Sequence, residues 1–253
     1  MECVFKRPRS SNGTPFHFCP GCTYGVATRL IMEAIDDLDI AKKTIVIGGV
    51  GCSGRTMHLY NCDAISPMHG RALAVATGIK RALPGNIVFT MQGDGDLAAI
   101  GLAESMHAAM RAEKLTTIMI NNTVYATTGG QMAPTTLVGQ KTTTTPYGRD
   151  KDLMGYPLHM AEIMSDIKGC YYSERVALDS TAHILKAKRA IRKAFENQVN
   201  GKGFSFVEVL STCPTNWGLT PVECMERIEK ELIPEYPLGV SKDEGVAMPR
   251  KGA

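Results

Sequence analysis

Ile87-Val88-Phe89-Thr90-Met91-Gln92-Gly93-Asp94-Gly95-Asp96 is an apolar run that empties into a glycine-rich acidic loop. Ile87–Met91 reads as a buried strand, being β-branched and aromatic-rich and ending on turn residues. A helical periodicity over Ala98–Ala112 follows, and then a second apolar run, Thr116–Ile120, which ends in Asn121-Asn122. Strand, loop, helix and strand in this order make a βαβ unit, the building block of parallel sheets. Outward from this unit, Thr44–Ile47 and Phe204–Leu210 read as two more buried strands. Tyr24–Leu38, Gly70–Leu83 and Thr181–Gln198 carry apolar residues at helical spacing, and Pro84-Gly85 ends the second of these sharply. The expected fold class is α/β, a mostly parallel sheet with helices on both faces.

Open parallel sheets bind ligands beyond the carboxyl ends of their strands. The four segments there are Gly48-Gly49-Val50-Gly51-Cys52-Ser53, Gln92-Gly93-Asp94-Gly95-Asp96, Asn121-Asn122-Thr123-Val124-Tyr125 and Ser211-Thr212-Cys213-Pro214. All four carry groups suited to phosphate or metal. Gly93 and Gly95 allow a tight turn and close approach of backbone N–H groups to phosphate oxygens. An aspartate there repels a diphosphate unless a divalent cation lies between them, and Mg²⁺ fills that role with a few protein oxygens plus phosphate oxygens. Asp94 is the natural ligand, and Asn121-Asn122 offer neutral hard donors. Taken alone, Gly-Asp-Gly-Asp reads equally as a turn with an Asp helix cap.

The 253 residues are 44% hydrophobic and 21% charged with a net charge of +3, which is the composition of an ordinary globular domain. A length of this order is common for a single α/β domain. The basic cluster Lys186–Lys193 has helical spacing without interleaved aromatics, and is read as a solvated helix face rather than a nucleic-acid patch. No apolar run approaches the roughly 20 residues that span a bilayer, and Met1–Asn12 lacks the apolar stretch of a signal peptide. A cytoplasmic protein is expected.

In that compartment eight cysteines point to metal or redox chemistry before disulfides. Cys19-Pro20-Gly21-Cys22 is a C-x₂-C turn, and Cys52 and Cys213 sit past strand ends on the face of the diphosphate loop. Four such thiolates can hold either a [4Fe–4S] cluster or structural zinc, and spacing does not separate the two. Cys3, Cys62, Cys170 and Cys224 read as small buried hydrophobes.

The motifs together resemble the thiamine diphosphate-binding β subunit of 2-oxoacid:ferredoxin oxidoreductases. They are CPGC (Cys19–Cys22), VGCS (Val50–Ser53), HGRALAVATGIKRALP (His69–Pro84), QGDGDLAAIG (Gln92–Gly101), NNTVY (Asn121–Tyr125), TGGQMAPTT (Thr128–Thr136), TPYGRD (Thr145–Asp150) and LSTCPTNWGL (Leu210–Leu219). The resemblance implies a thiamine diphosphate-binding fold over residues 1–253, with an N-terminal cysteine loop at about 15–23 and a C-terminal extension at about 214–253 that packs on the domain or on partner subunits. It implies Mg²⁺ ligands at Asp94, Asn122 and Val124, and [4Fe–4S] ligands at Cys19, Cys22, Cys52 and Cys213. Cofactor contacts fall on Val50, Gly51, Cys52, Ser53, His69, Gly93, Gly95, Asp96, Ala126, Thr127 and Thr128.

The implied reaction is coenzyme A-dependent oxidative decarboxylation of a 2-oxoacid, with electrons leaving through the cluster to ferredoxin. The implied partners are alpha and gamma subunits, with a ferredoxin-like delta subunit in some complexes. No glutamate lies in a motif suited to activating the cofactor, so the partner subunit is expected to supply it. The chain departs from the family at Gly54-Arg55-Thr56-Met57-His58, where bulkier residues are usual, and at Ala126-Thr127, where Gly-Met is familiar. Some relatives carry Lys where this chain has Gly129. That difference favours a branched-chain 2-oxoacid such as 2-oxoisovalerate, with 2-oxoglutarate next. The competing readings are a non-oxidative thiamine-dependent decarboxylase or synthase and a zinc-stabilised binding module. Outside these motifs, His69 is a cofactor contact or a cap, His107 a structural helix residue, and Arg149-Asp150 a partner contact or a surface pair.

Overall fold

A seven-stranded sheet forms the centre of the computed structural model, which describes residues 6–245. In chain order the strands are β1 (Thr44–Gly48), β2 (Asp63–Ile65), β3 (Ile87–Gly93) and β4 (Thr116–Asn121). A separate ribbon of β5 (Val124–Tyr125) and β6 (Gln131–Met132) comes next, followed by β7 (Cys170–Ala177), β8 (Phe204–Leu210) and β9 (Gly239–Asp243). The sheet order is β2-β1-β3-β4-β8-β7-β9, parallel except for β9, which runs antiparallel to β7. Every residue of β1, β4 and β8 is buried, as expected of strands covered on both faces.

Helices α1 (Tyr24–Asp37) and α6 (Thr181–Val199) close one face, packing Ile31, Ile35, Ile191 and Phe195 on Val46, Phe89, Ile118 and Val207. Helices α2 (Ala72–Ala82), α3 (Leu102–Met110) and α5 (Met160–Asp166) close the other, over Ile45, Ile47, Val88, Met119 and Phe206. The alternation of these strand residues between two clusters follows from the two-residue period of a strand. The short α4 (Lys151–Met154) lies in the loop before α5. After β8 come α7 (Pro214–Trp217), α8 (Pro221–Arg227) and α9 (Ile233–Glu235), where Ile228, Leu232 and Tyr236 pack on Leu137, Ala177 and Leu210. Thr220 and Glu223 close a reciprocal capping box at the start of α8, with Pro221 in its first turn.

The sheet has a switch point. β1 leads outward to β2, whereas β3 leads through α3 to β4 on the other side. The loops after β1 and β3 therefore diverge and open a crevice. Register keeps the neighbouring loops level: Gly48 lies opposite Met91, Gly93 opposite Ile120, and Asn121 opposite Leu210.

Several elements differ from expectation. The helix read over Ala98–Ala112 is a π-helical turn, Asp96–Ile100, followed by α3. The short β2, β5 and β6 were not foreseen, nor were β7 and β9, for reasons taken up below. The basic cluster on α6 is largely paired. Lys188 Nζ reaches Glu33 at 2.8 Å, Arg192 Nε reaches Glu196 at 2.8 Å, and Lys193 bonds Asp243. Cys3 lies outside the described residues. Cys170 and Cys224 are buried and Cys62 is partly so. Among the described residues no helix is long and apolar enough to cross a membrane.

Candidate active site

The crevice is a cleft of about 540 Å³. Val50, Gly51 and Cys52 from the β1 loop, Gly93 to Asp96 from the β3 loop, and Asn122, Val124 and Ala126–Thr128 from the β4 loop line it, with His69 and Tyr24. Gly51 has φ +101, a conformation that excludes most side chains. At Gly95 the constraint is space: a Cβ would run into the Tyr125 ring, whose hydroxyl donates to the Gly95 carbonyl at 3.0 Å.

Asp94 is 2% exposed. Its Oδ1 accepts from the Gly95 N–H at 2.9 Å and its Oδ2 from the Thr135 hydroxyl at 2.5 Å. Burial pushes its carboxyl up to about 7, against the pull of these hydrogen bonds. A buried carboxylate of this kind is stabilised by a cation, and among the described residues no Lys or Arg lines the cleft to serve as one. Asn122 and Val124 stand across the same cleft. Between them Thr123 has φ +64, rare for a β-branched residue. Its neighbours hold it there. The Thr123 N–H donates to Asn121 Oδ1 at 3.1 Å, its carbonyl accepts from the Thr136 hydroxyl at 2.5 Å, and its Oγ1 accepts from Gln140 Nε2 at 2.9 Å. One carboxylate, one amide and the carbonyl-bearing loop at Val124 are hard oxygen donors of the kind Mg²⁺ takes together with phosphate oxygens.

Asp96, equally buried, faces another way. Its Oδ1 accepts from the Gly70 N–H at 2.7 Å and bonds His69 Nδ1, and its Oδ2 accepts from Gln92 Nε2 at 2.7 Å. Ser53 is buried behind the cleft wall instead of lining it. Its Oγ, without a partner among the described residues, abuts Gly49 together with Asp96 Oδ2, where a Cβ would not fit.

A second cavity, of about 720 Å³, adjoins the first. Cys19, Cys22, Cys52 and Cys213 all line it, and it shares Tyr24, Cys52, Asn122, Ala126 and Thr127 with the cleft. Burial pushes the Cys22 thiol up to about 12, and also raises that of Cys213. Such thiols ionise when a metal takes the place of their protons. Asn216 Nδ2 reaches Cys213 Sγ at 3.2 Å and the Ala126 carbonyl at 3.1 Å, tying the β8 loop to the β4 loop. Among the described residues no three His, Cys, Asp or Glu side chains are drawn together as ligands of one ion.

Sequence reasoning gave no role to Tyr24, Tyr125, Thr135 and Asn216. The last three lie inside the quoted motifs NNTVY, TGGQMAPTT and LSTCPTNWGL, and Tyr24 lies two residues after Cys22, which was the available signal. His107 sits on the exposed face of α3, away from the cleft. Arg149 is neither a partner contact nor a surface pair. It is buried, and its guanidinium donates to the carbonyls of Pro134, Thr136, Met154, Gly155 and Tyr156 at 2.5–3.2 Å. Asp150 caps α4 through the Asp152 N–H.

The family described as thiamine pyrophosphate enzyme, C-terminal TPP binding domain, matches residues 49–209. Ketoisovalerate oxidoreductase subunit VorA of Methanothermobacter marburgensis is 46% identical over 240 residues, 95% of this chain and 50% of that protein. The chain thus spans about half the length of this relative. 2-Oxoglutarate synthase subunit KorB of Methanocaldococcus jannaschii is 42% identical over 205 residues, 81% of this chain and 72% of that protein. Among solved structures, the 2-oxoglutarate:ferredoxin oxidoreductase of Magnetococcus marinus, with 2-oxoglutarate, coenzyme A and succinyl-CoA bound, superposes with a TM-score of 0.78 at 24% identity. It covers 97% of this chain and 87% of its own, and shows the same fold. The switch-point cleft, the matched family and the relatives agree: the chain belongs to the thiamine diphosphate-binding subunits of the 2-oxoacid:ferredoxin oxidoreductase family.

Proposed function

We propose that this chain is the β subunit of a 2-oxoacid:ferredoxin oxidoreductase, and that it binds thiamine diphosphate, Mg²⁺ and a [4Fe–4S] cluster. The observation that carries the reading is the pair of adjoining cavities, one with the Asp94–Asn122–Val124 donor set and the other with four cysteines, which share Cys52 and Asn122 as a wall. When bound, thiamine diphosphate supplies a nucleophilic carbon and an electron sink, and the cluster a one-electron relay. The residues lining the two cavities would supply donors of the right chemistry for both groups. Asp94, Asn122 and the Val124 carbonyl would hold the cation. The Gly51 and Gly93–Gly95 backbones would lie against the diphosphate. Cys19, Cys22, Cys52 and Cys213 would hold the cluster, since an electron relay beside the thiamine cleft would serve the oxidation, whereas a zinc ion there would serve structure alone. Asp96 orients His69 at the rim.

The reaction proposed is coenzyme A-dependent oxidative decarboxylation of a 2-oxoacid, with electrons passed to ferredoxin. Gly129 stands where some relatives carry a Lys, so a branched-chain 2-oxoacid is favoured over 2-oxoglutarate. The activating glutamate would come from an alpha or gamma partner, and the chain alone would be inactive. The chain, 1–253, would act as a single cofactor-binding unit, on which its C-terminal extension from about residue 214 packs through Ile228, Leu232 and Tyr236.

The test is anaerobic purification of the native complex. Absorbance near 400 nm with about four iron and four sulfide per chain, and faster coenzyme A-dependent dye reduction with 2-oxoisovalerate than with 2-oxoglutarate or pyruvate, are expected. A colourless protein with one zinc per chain would overturn the oxidoreductase reading. Equal rates on the three acids would remove the substrate preference.

A further inference from the structure

The carboxylate of Asp94 is braced from behind by residues to which the sequence motifs assign no role. Thr135 is fully buried and donates its hydroxyl to Asp94 Oδ2 at 2.5 Å. With the Gly95 N–H on Oδ1, both oxygens are tied on their protein side. Only their remaining lone pairs are open to the cleft.

Thr135 is clamped in turn. Arg149 Nη1 donates to the carbonyls on either side of it, Pro134 at 2.9 Å and Thr136 at 2.5 Å. Tyr236 Oη donates to the carbonyl of Thr135 itself at 2.5 Å. Tyr236 is fully buried just past α9, with its ring 5.3 Å from the Arg175 guanidinium and 5.1 Å from the His159 ring. Arg175 Nη1 also holds the Pro237 carbonyl at 3.1 Å. A continuous path therefore runs from the C-terminal segment to the carboxylate through two hydroxyl groups.

We propose that Thr135 is a positioning residue for the cation-binding carboxylate and that Tyr236 sets Thr135, so that divalent-cation affinity depends on the seating of the C-terminal segment. The inference rests on Asp94 being the cation ligand. Partners of this kind fix the direction of a ligand's lone pairs, and a valine at position 135 would keep the shape of the side chain while losing the bond.

The experiment titrates Mn²⁺, in place of Mg²⁺, into the full chain in its purified complex with thiamine diphosphate, and reads free Mn²⁺ by electron paramagnetic resonance. Thr135→Val is expected to raise the half-saturating Mn²⁺ by about 10- to 100-fold and Tyr236→Phe by about 10-fold, with Thr135→Ser retaining wild-type affinity. A merely structural role would lower the melting temperature and leave the Mn²⁺ affinity of the folded protein unchanged. Tyr236→Phe keeps its ring, so it carries the test should Thr135→Val not fold. Wild-type affinity in Tyr236→Phe and in any folded Thr135→Val, with affinity lost in Asp94→Asn, would overturn the inference. Wild-type affinity in Asp94→Asn would remove the cation site itself and the inference with it.

Discussion

At Gly95 the absence of a side chain serves the neighbouring strand. The backbone there has ordinary helical angles, so no conformational argument requires glycine. What requires it is the Tyr125 ring, packed where a Cβ would stand. Gly95→Ala should cost about 1–3 kcal/mol, the usual range for overpacking, and should loosen the Tyr125 hydroxyl from the Gly95 carbonyl. Thermal melting would show the first effect, and weaker thiamine diphosphate binding by calorimetry the second. An unchanged melting temperature and affinity would mean that the ring moves aside without cost. The Gly-Asp-Gly pattern was legible from the sequence. The partner that makes its second glycine necessary lies 30 positions away and was not.

Among the elements, β7 was hidden by its own charges. Cys170–Ala177 reads CYYSERVA, and Glu174-Arg175 in mid-strand hides the apolar alternation. In the folded chain Arg175 is 1% exposed and pairs with the fully buried Glu208 of β8 at 2.9 Å and with Glu162 of α5 at 2.5 Å. Glu208 in turn accepts from Asn121 Nδ2 at 2.8 Å, so the pair sits directly beneath the Asn122 loop. Removing one partner of a buried pair leaves the other charge uncompensated. Arg175→Ala should therefore destabilise the chain by about 3–5 kcal/mol, measurable as a lower midpoint in chemical denaturation.

Glu162 supplies the pH dependence of the same network. Partial burial alone would raise its carboxyl, but the Arg175 hydrogen bonds and charge outweigh it, and the group is held below the usual glutamate value. The unfolded chain then takes up its proton first as pH falls. The stabilisation is complete above about pH 4.5, the unperturbed value, and is lost as pH drops through the lower folded one. Glu162→Gln should flatten that acid limb in melting curves taken from pH 6 to pH 3. An acid limb unchanged from wild type would show that the pair contributes nothing there. β9 escaped notice for a different reason: Gly239–Asp243 is half exposed and pairs only with β7, an edge that exists once β7 is placed.

Over the whole molecule, two cavities with a shared wall make two separable properties. Cys213 lines the cysteine cavity and not the cleft. On the proposed cluster, Cys213→Ser should abolish the absorbance near 400 nm and lower the bound iron while thiamine diphosphate still binds with Mg²⁺. Loss of both together, in a folded protein, would mean that the cavities form one site. The sequence by itself determined the sheet class, the four strands whose loops meet at the crevice, and the placing of Asp94, Asn122 and four of the eight cysteines in those loops and the CPGC turn, which the folded chain brings to two adjoining cavities. These are local patterns, because strand and helix periods and turn chemistry are written in neighbouring residues. Only the tertiary structure decided that Arg149 is buried among five carbonyls, that Ser53 stands behind the wall, that an ion pair underlies the Asn121-Asn122 loop, and that Tyr236 reaches Thr135. Each of these joins groups far apart in the chain, or turns on burial, and burial belongs to the packed molecule. The Gly-Asp-Gly loop could therefore be read from ten residues, whereas the hydrogen bonds behind its aspartate could not.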